Sequence, residues 1–298
     1  MDTLEGKLPP AALIVGCGDV GLRVAKRLQA MRREVTGIVR SSPAAQALRA
    51  EQVNCLQADL DAAPPPDSAP LVFYFAPPPL SGSRDPRLRG WLAGLRAPPQ
   101  RLVYISTSGV YGDCGGAWID EDAPLAPVSD RARRRVDAER ALQEYAADRA
   151  TQVVILRVPG IYGPGRLPRE RLERGLPVVR EDQSPYTNRI HADDLAEAAL
   201  HAAAWGVAGR AYNIADGHPT TMCDYFTRCA RLMGLPEPRQ LPLEQARREL
   251  TPAMWSFMEE SKRLLTRRMR EELRFVPRYP DLASGLPAAL AATSAGDS

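Results

Sequence analysis

Lysine, histidine and paired cysteine are all scarce in these 298 residues. The five cysteines (Cys17, Cys55, Cys114, Cys223, Cys229) are odd in number and none lies in a C-x-x-C pair. They read as reduced thiols of a cytoplasmic protein, not as a disulfide framework. His191, His201 and His218 are the only histidines, and no zinc-ligand spacing results. No apolar run approaches the roughly 18 residues of a membrane span. The opening MDTLEGKLPPAALIVGCG has no long apolar stretch before a cleavage signal. The expectation is therefore an unexported protein with no membrane partner. An excess of one charge is lacking too, since 39 basic residues against 36 acidic ones leave +3, which gives little reason to invoke nucleic acid. Lysine is scarcest of all: Lys7, Lys26 and Lys262 are the only three, so nearly all positive charge is arginine.

What is present is ordinary for a globular protein: 44% hydrophobic and 25% charged residues exclude collagen-like, coiled-coil and wholly disordered chains. Short apolar runs at 11–15, 34–39, 53–57, 71–76, 101–106 and 152–158 read as buried parallel strands. Between them, helical spacing appears at 19–31, 43–50, 86–95 and 131–147. This alternation predicts an α/β fold with a Rossmann-like, doubly wound parallel sheet. The expected division is a dinucleotide-binding domain over 1–165 plus 188–215, and a smaller, mostly helical lobe over 166–187 plus 216–298. Helices are expected at 223–233, 243–250 and 253–273, the run from Lys262 to Arg270 as a solvated helix face. Trp205, Trp255 and Phe257 are read as core, and the last dozen residues as frayed.

Residues 16–21, GCGDVG, fit G-x-G-x-x-G directly after a strand and at the start of a helix. Gly16 would make the tight turn, Gly18 would let a pyrophosphate approach, and Gly21 would permit close helix–strand packing, with Cys17, Asp19 and Val20 between them. The helix N-terminus supplies N–H donors to phosphate. Where a carboxylate would bond an adenosine 2′-hydroxyl, the second strand instead ends in Arg40, Ser41 and Ser42. A guanidinium with two hydroxyls suits a 2′-phosphate, hence NADP, with NAD as the alternative. A purely structural turn, and an arginine placed there by composition, are the bland counterparts.

The remaining pieces resemble the extended short-chain dehydrogenases/reductases, the group of nucleotide-sugar epimerases and dehydratases. ADL (58–60) resembles the family's G-D-L, and YFAPPP (74–79) the segment after the fourth strand. ISTSGVYG (105–112) is similar to S-[ST]-x-x-V-Y-G, LRVPGIYGPG (156–165) to R-x-x-x-[IV]-Y-G-P-G, and RIHADDLA (189–196) to I-H-V-x-D-[LV]-A. The resemblance implies that Asp59, Leu60, Phe75, Ala76, Pro77, Ser106, Pro159 and Ile161 lie along the cofactor and that Thr107 orients the substrate; helix pairing across a two-fold is common in that family, which leaves a homodimer open. The family's Y-x-x-x-K acid/base pair is missing: aligning PVSDRARRRVDAERAL (127–142) puts Arg131 at the tyrosine and Arg135 at the lysine position.

An arginine stays protonated and cannot replace the tyrosine as acid/base. Arg135 remains able to bond the nicotinamide ribose, and Arg131 to clamp an anion. Tyr111 is the nearest phenol to Thr107, as substitute proton carrier or as packing. A solvated helix face is the bland reading of both arginines. Two functions stay open: an NADP-dependent oxidoreductase or epimerase acting on a small anionic or nucleotide-linked substrate, or a non-catalytic NADP(H)-binding sensor. Cys17 as a redox thiol and His191 as a catalytic base stand against a loop filler and a capping histidine.

Overall fold

In the computed structural model, which describes residues 3–62, 65, 68–256 and 258–296, seven strands form one parallel sheet. They are β1 (Ala11–Val15), β2 (Glu34–Val39), β3 (Asn54–Gln57), β4 (Leu71–Tyr74), β5 (Arg101–Thr107), β6 (Gln152–Val158) and β7 (Ala211–Asn213). Their spatial order is β7-β6-β5-β4-β1-β2-β3. The order reverses between β1 and β4, and a crevice opens there at the carboxyl ends of the strands. β4 is buried along its whole length, as a continuous apolar run in a doubly covered sheet requires.

Five helices flank the sheet: α1 (Asp19–Ala30), α2 (Ser42–Ala50), α3 (Pro86–Gly94), α4 (Asp130–Asp148) and α5 (Ala192–Trp205). On α1 the buried residues Val20, Gly21, Val24, Ala25 and Leu28 recur at helical spacing and pack into the core that holds Ile14 and Leu195. Arg23 and Arg27 on its outer face reach Asp193, and Arg27 also reaches Glu197, tying α1 to α5. Ser41, Asp85 and Ser129 cap α2, α3 and α4 by accepting from backbone N–H groups.

A separate core forms around α6 (Met222–Leu232) and α7 (Leu282–Gly296), with Tyr162, Leu172, Val178, Leu241 and Leu286 among its members. Met269, Leu273 and Phe275 lie in the sequence of the expected lobe yet pack into the core of the sheet. The structure corrects three expectations in this region. The 253–273 helix is instead Pro252–Trp255, a strand Arg263–Leu264 paired with Trp118–Ile119, and Arg267–Glu272. Lys262 and Met269 are buried, so the stretch from 262 to 270 is no solvated helix face. The chain over 282–296 is an ordered helix with Leu282, Leu286 and Ala289 buried, not a frayed end. Trp205 and Trp255 are half-buried, and Phe257 lies outside the described residues.

Candidate functional site

The glycine loop turns where β1 ends. Gly16 and Cys17 both donate to the Ile38 carbonyl, and Phe75 and Ala76 both donate to that of Val15, so loop and post-β4 segment are fixed together. Gly16 has φ +83°, and a Cβ on it would lie 2.4 Å from the Ala76 nitrogen. Gly18, which precedes α1, has nothing within 4 Å of a Cβ position, and no side chain caps the helix. An open helix N-terminus with a bare backbone is what an anionic phosphate needs. Gly37 on β2 adds a requirement that sequence reading missed, since a Cβ there would lie 2.9 Å from that of Cys17.

A cleft of about 490 Å³ runs from this loop. It is lined by Gly16, Cys17, Gly18, Asp19, Val20, Gly21, Arg40, Ser41, Asp59, Leu60, Phe75, Ala76, Pro77, Arg135 and Ile161, all singled out from sequence. Ser42 stands aside, at the start of α2, bonded to Gln57. Ser106 is buried and spends its hydroxyl on Glu139. Arg87 and Arg166 also line the cleft and were missed. Four arginines (40, 87, 135 and 166) thus face two aspartates (19 and 59), a balance suited to a ligand with several phosphates. Arg135 donates to the Tyr104 hydroxyl at 3.0 Å and the Ile105 carbonyl at 2.8 Å, so it is pinned at the cleft wall rather than solvated. Burial pushes the Cys17 thiol up to about 12, which leaves it a loop filler and not a nucleophile.

A second cavity, about 310 Å³, holds Thr107, Arg131, Pro159, Tyr186, Arg189, Glu260 and Lys262 among its lining residues. Its lining adjoins that of the first. Ile105 and Thr107 are alternate residues of β5, Arg135 and Arg131 lie one turn apart on α4, and Ile161 and Pro159 are two apart on one segment. Thr107 Oγ1 accepts from Gly109 N–H at 3.2 Å, which orients the hydroxyl and leaves its proton to donate. Arg189 lies 3.7 Å from the Tyr225 ring centroid, and burial lowers its pKa.

Tyr111 does not join either cavity. It is 1% exposed, and its hydroxyl donates to Asn213 at 2.7 Å and accepts from Arg157 at 3.0 Å. Burial holds that phenol well above its ordinary range, so the structure removes it as substitute proton carrier. His191 caps α5, its Nδ1 accepting from Asp193 N–H at 3.2 Å, and burial keeps its pKa below the usual value. That is a capping role. Lys262, Glu260 and Arg166 lie in none of the quoted motifs, and Arg189 only opens the RIHADDLA stretch; the rarity of lysine is the one signal that marks Lys262.

Comparison with known proteins agrees with this geometry. A model of the NAD dependent epimerase/dehydratase family matches residues 91–215, and one of the TrkA-N domain matches residues 12–63. A solved protein from Methylobacillus flagellatus, described as an NAD-dependent epimerase/dehydratase, is 30% identical with TM-score 0.68, covering 96% of this chain and 99% of that one. The chain belongs to the NAD-dependent epimerase/dehydratase family. Protein YeeZ of Escherichia coli strain K12 is 29% identical over 287 residues, 90% of this chain and 96% of its own length. UDP-glucuronic acid 4-epimerase from Bacillus cereus, solved in complex with NAD, shares the fold at 17% identity, TM-score 0.74, with 97% of this chain and 100% of that one covered.

One member of the cleft yields an immediate prediction. Arg166, which follows Tyr162 by four residues, pairs with Asp19 at 2.5 Å across the mouth of the glycine loop. A dinucleotide seated on α1 would lie under this pair, and the guanidinium would bond its phosphate. Arg166→Ala should raise the dissociation rate of a bound reduced dinucleotide, NADH or NADPH, about tenfold, one charge-assisted bond being worth roughly 1.5 kcal/mol at a half-exposed site. Stopped-flow fluorescence would read it, and an unchanged dissociation rate would limit Arg166 to its bond with Asp19.

Proposed function

We propose that the protein is an NADP-dependent oxidoreductase or epimerase of a small anionic or nucleotide-linked substrate, with Arg131 and Arg135 in place of the Tyr/Lys pair. The observation that carries this reading is that the two cavities adjoin along β5, α4 and the 159–161 segment. The dinucleotide's pyrophosphate sits at Gly16–Gly21 and its 2′-phosphate at Arg40 and Ser41, which both line the cleft. Its nicotinamide end reaches Ile105, Arg135 and Ile161, and Arg135 bonds the ribose as the family's lysine does. Substrate fills the second cavity, its oxygen beside Thr107 and its anionic group against Arg131 and Arg189. NAD bound in the Bacillus cereus epimerase supports the dinucleotide, and that protein's name supports a nucleotide-linked sugar. A sensor without turnover is the second reading, favoured by the burial of Tyr111.

Titration with NADPH and NADH, followed by protein and nicotinamide fluorescence, tests the cofactor. NADPH should bind at least tenfold more tightly than NADH, and Arg40→Ala should erase that preference while leaving NADH affinity in place. Equal affinities in the unaltered protein would remove Arg40 from the site, and binding of neither would make the glycine loop a structural turn.

A further inference from the structure

Reducing a carbonyl, or reversing the step, requires a group that exchanges a proton with the substrate oxygen. Neither candidate position supplies one: Arg131 stays protonated and Tyr111 is buried away from both cavities. One group in the second cavity has the chemistry. Lys262 lines it with a side chain only 6% exposed, and its Nζ donates to Glu260 Oε2 at 2.6 Å, itself 12% exposed.

The local backbone fixes the pair. Asn188 donates from Nδ2 to the Lys262 carbonyl at 3.0 Å and accepts the Leu264 N–H on Oδ1 at 2.8 Å, while Cys114 and Gly116 both donate to the Ser261 carbonyl. Ser261 N–H in turn donates to Asp113 Oδ1 at 2.8 Å. A donor held this firmly from several sides is what productive proton transfer demands. Tyr186 also lines the cavity, but at its rim, 38% exposed and with its ring under Arg263.

We propose that Lys262, oriented by Glu260, is the proton donor to the substrate oxygen in the second cavity. The inference rests on the dinucleotide reading above and adds the acid which that reading lacks. A bound reduced dinucleotide would supply the hydride. As the hydride adds to the carbonyl carbon, the C=O bond becomes single, the Lys262 Nζ–H bond breaks and the O–H bond forms. Lys262 is left as an amine beside Glu260 and regains a proton from water entering the open cavity. Thr107 donates to the same oxygen, and Arg131 and Arg189 hold the anionic part of the substrate.

The scarcity of lysine makes the test direct. Protein labelled with [ε-13C]lysine should give three signals, and the one missing in Lys262→Arg is that of Lys262. Saturating NADPH should shift that signal and leave those of Lys7 and Lys26 in place, because only Lys262 adjoins the nicotinamide end. NADPH-dependent reduction of phenylglyoxylate, which sets a ketone beside a carboxylate, gives the catalytic readout. Lys262→Arg keeps the charge but releases no proton, and should lower kcat by roughly 10²- to 10⁴-fold with the NADPH dissociation constant within twofold. Glu260→Gln should lower kcat less, and methylamine should restore part of the rate to Lys262→Ala. Tight NADPH binding with no movement of the Lys262 signal would overturn the proposal alone. So would Lys262→Arg with unaltered kcat, or a loss of rate confined to Tyr186→Phe. Absence of NADPH binding would overturn the cofactor reading as well.

Discussion

Arg157→Met should cost about 3–5 kcal/mol of stability, the usual penalty for leaving one partner of a buried ion pair alone. Arg157 on β6 is 8% exposed and Glu139 on α4 is 2% exposed, with Nη2 and Oε2 2.9 Å apart. Burial by itself would lower the guanidinium's pKa, but the Glu139 carboxylate overrides it and raises it. The same guanidinium donates to the Tyr111 hydroxyl at 3.0 Å and the Glu121 carbonyl at 2.9 Å, so β6, α4 and the turn after β5 meet on one charge. Methionine fills the volume and removes every bond, leaving Glu139 with the Ser106 hydroxyl as its partner. The urea midpoint at pH 7.5 should fall with an unchanged slope. Adding Glu139→Leu should recover much of the loss, because the stranded carboxylate carries most of the penalty. A double variant no better than Arg157→Met would place the cost in the lost bonds to Tyr111 and Glu121.

The sheet was legible because buried parallel strands need unbroken apolar runs. AALIV, EVTGIV and QVVILRV have their predicted limits in the structure, and the helix read at 131–147 runs from Asp130 to Asp148. The residues 253–273 misled for an equally physical reason. Leucine, methionine, lysine and arginine favour a helix locally, but Arg263–Leu264 pairs with Trp118–Ile119, about 145 residues earlier in the chain. Pairing over that distance has no local signal. The C-terminal helix escaped notice because its alanines and serines carry little periodicity; Leu282 and Leu286 anchor it to the second core only in three dimensions.

The cleft was legible where a motif fixes backbone, as at Gly16, Gly18 and Gly21. It was not legible where a side chain arrives from afar. An arginine-rich composition hides Arg87 and Arg166, which look like any other surface arginine until the fold sets them at the cleft wall. Lys262 stood out by rarity, yet its arginine-rich neighbours suggested a solvated face. Its partner Glu260 lies two residues away, a spacing that would set the two side chains on opposite sides of the expected helix; they meet only because the backbone there is not helical. Tyr111 failed the opposite way, lying close to Thr107 in sequence while facing the buried network around Arg157.

Asp216→Asn should make the protein more stable at pH 8 than the unaltered chain, by about 2–4 kcal/mol, each pKa unit being worth about 1.4 kcal/mol. Asp216 follows β7, is 0% exposed, and bonds the His218 N–H through Oδ1 at 3.0 Å, while Oδ2 has no hydrogen-bond partner. Burial raises its pKa from 3.8 to about 7, partly opposed by that N–H and by the His218 and Arg189 charges, and reinforced by Asp281. The Asp216 carboxylate in turn helps burial to hold the Tyr162 phenol above its ordinary range. Since the folded state holds the proton more tightly than the unfolded chain, stability from this residue is complete below pH 3.8 and is lost as pH rises through 7. Asparagine carries no charge and should abolish that loss, so unfolding free energies of the two proteins should converge at pH 4 and separate at pH 8. A gap of equal size at both values would show that the carboxyl is ionised throughout, and that Arg189, which also lines the second cavity, compensates its charge. Substrate binding discriminates between the same outcomes. If Asp216 is neutral below pH 7, the Arg189 cation is left uncompensated there and holds an anion in the second cavity; as Asp216 ionises, affinity for phenylglyoxylate should weaken, and in Asp216→Asn it should not.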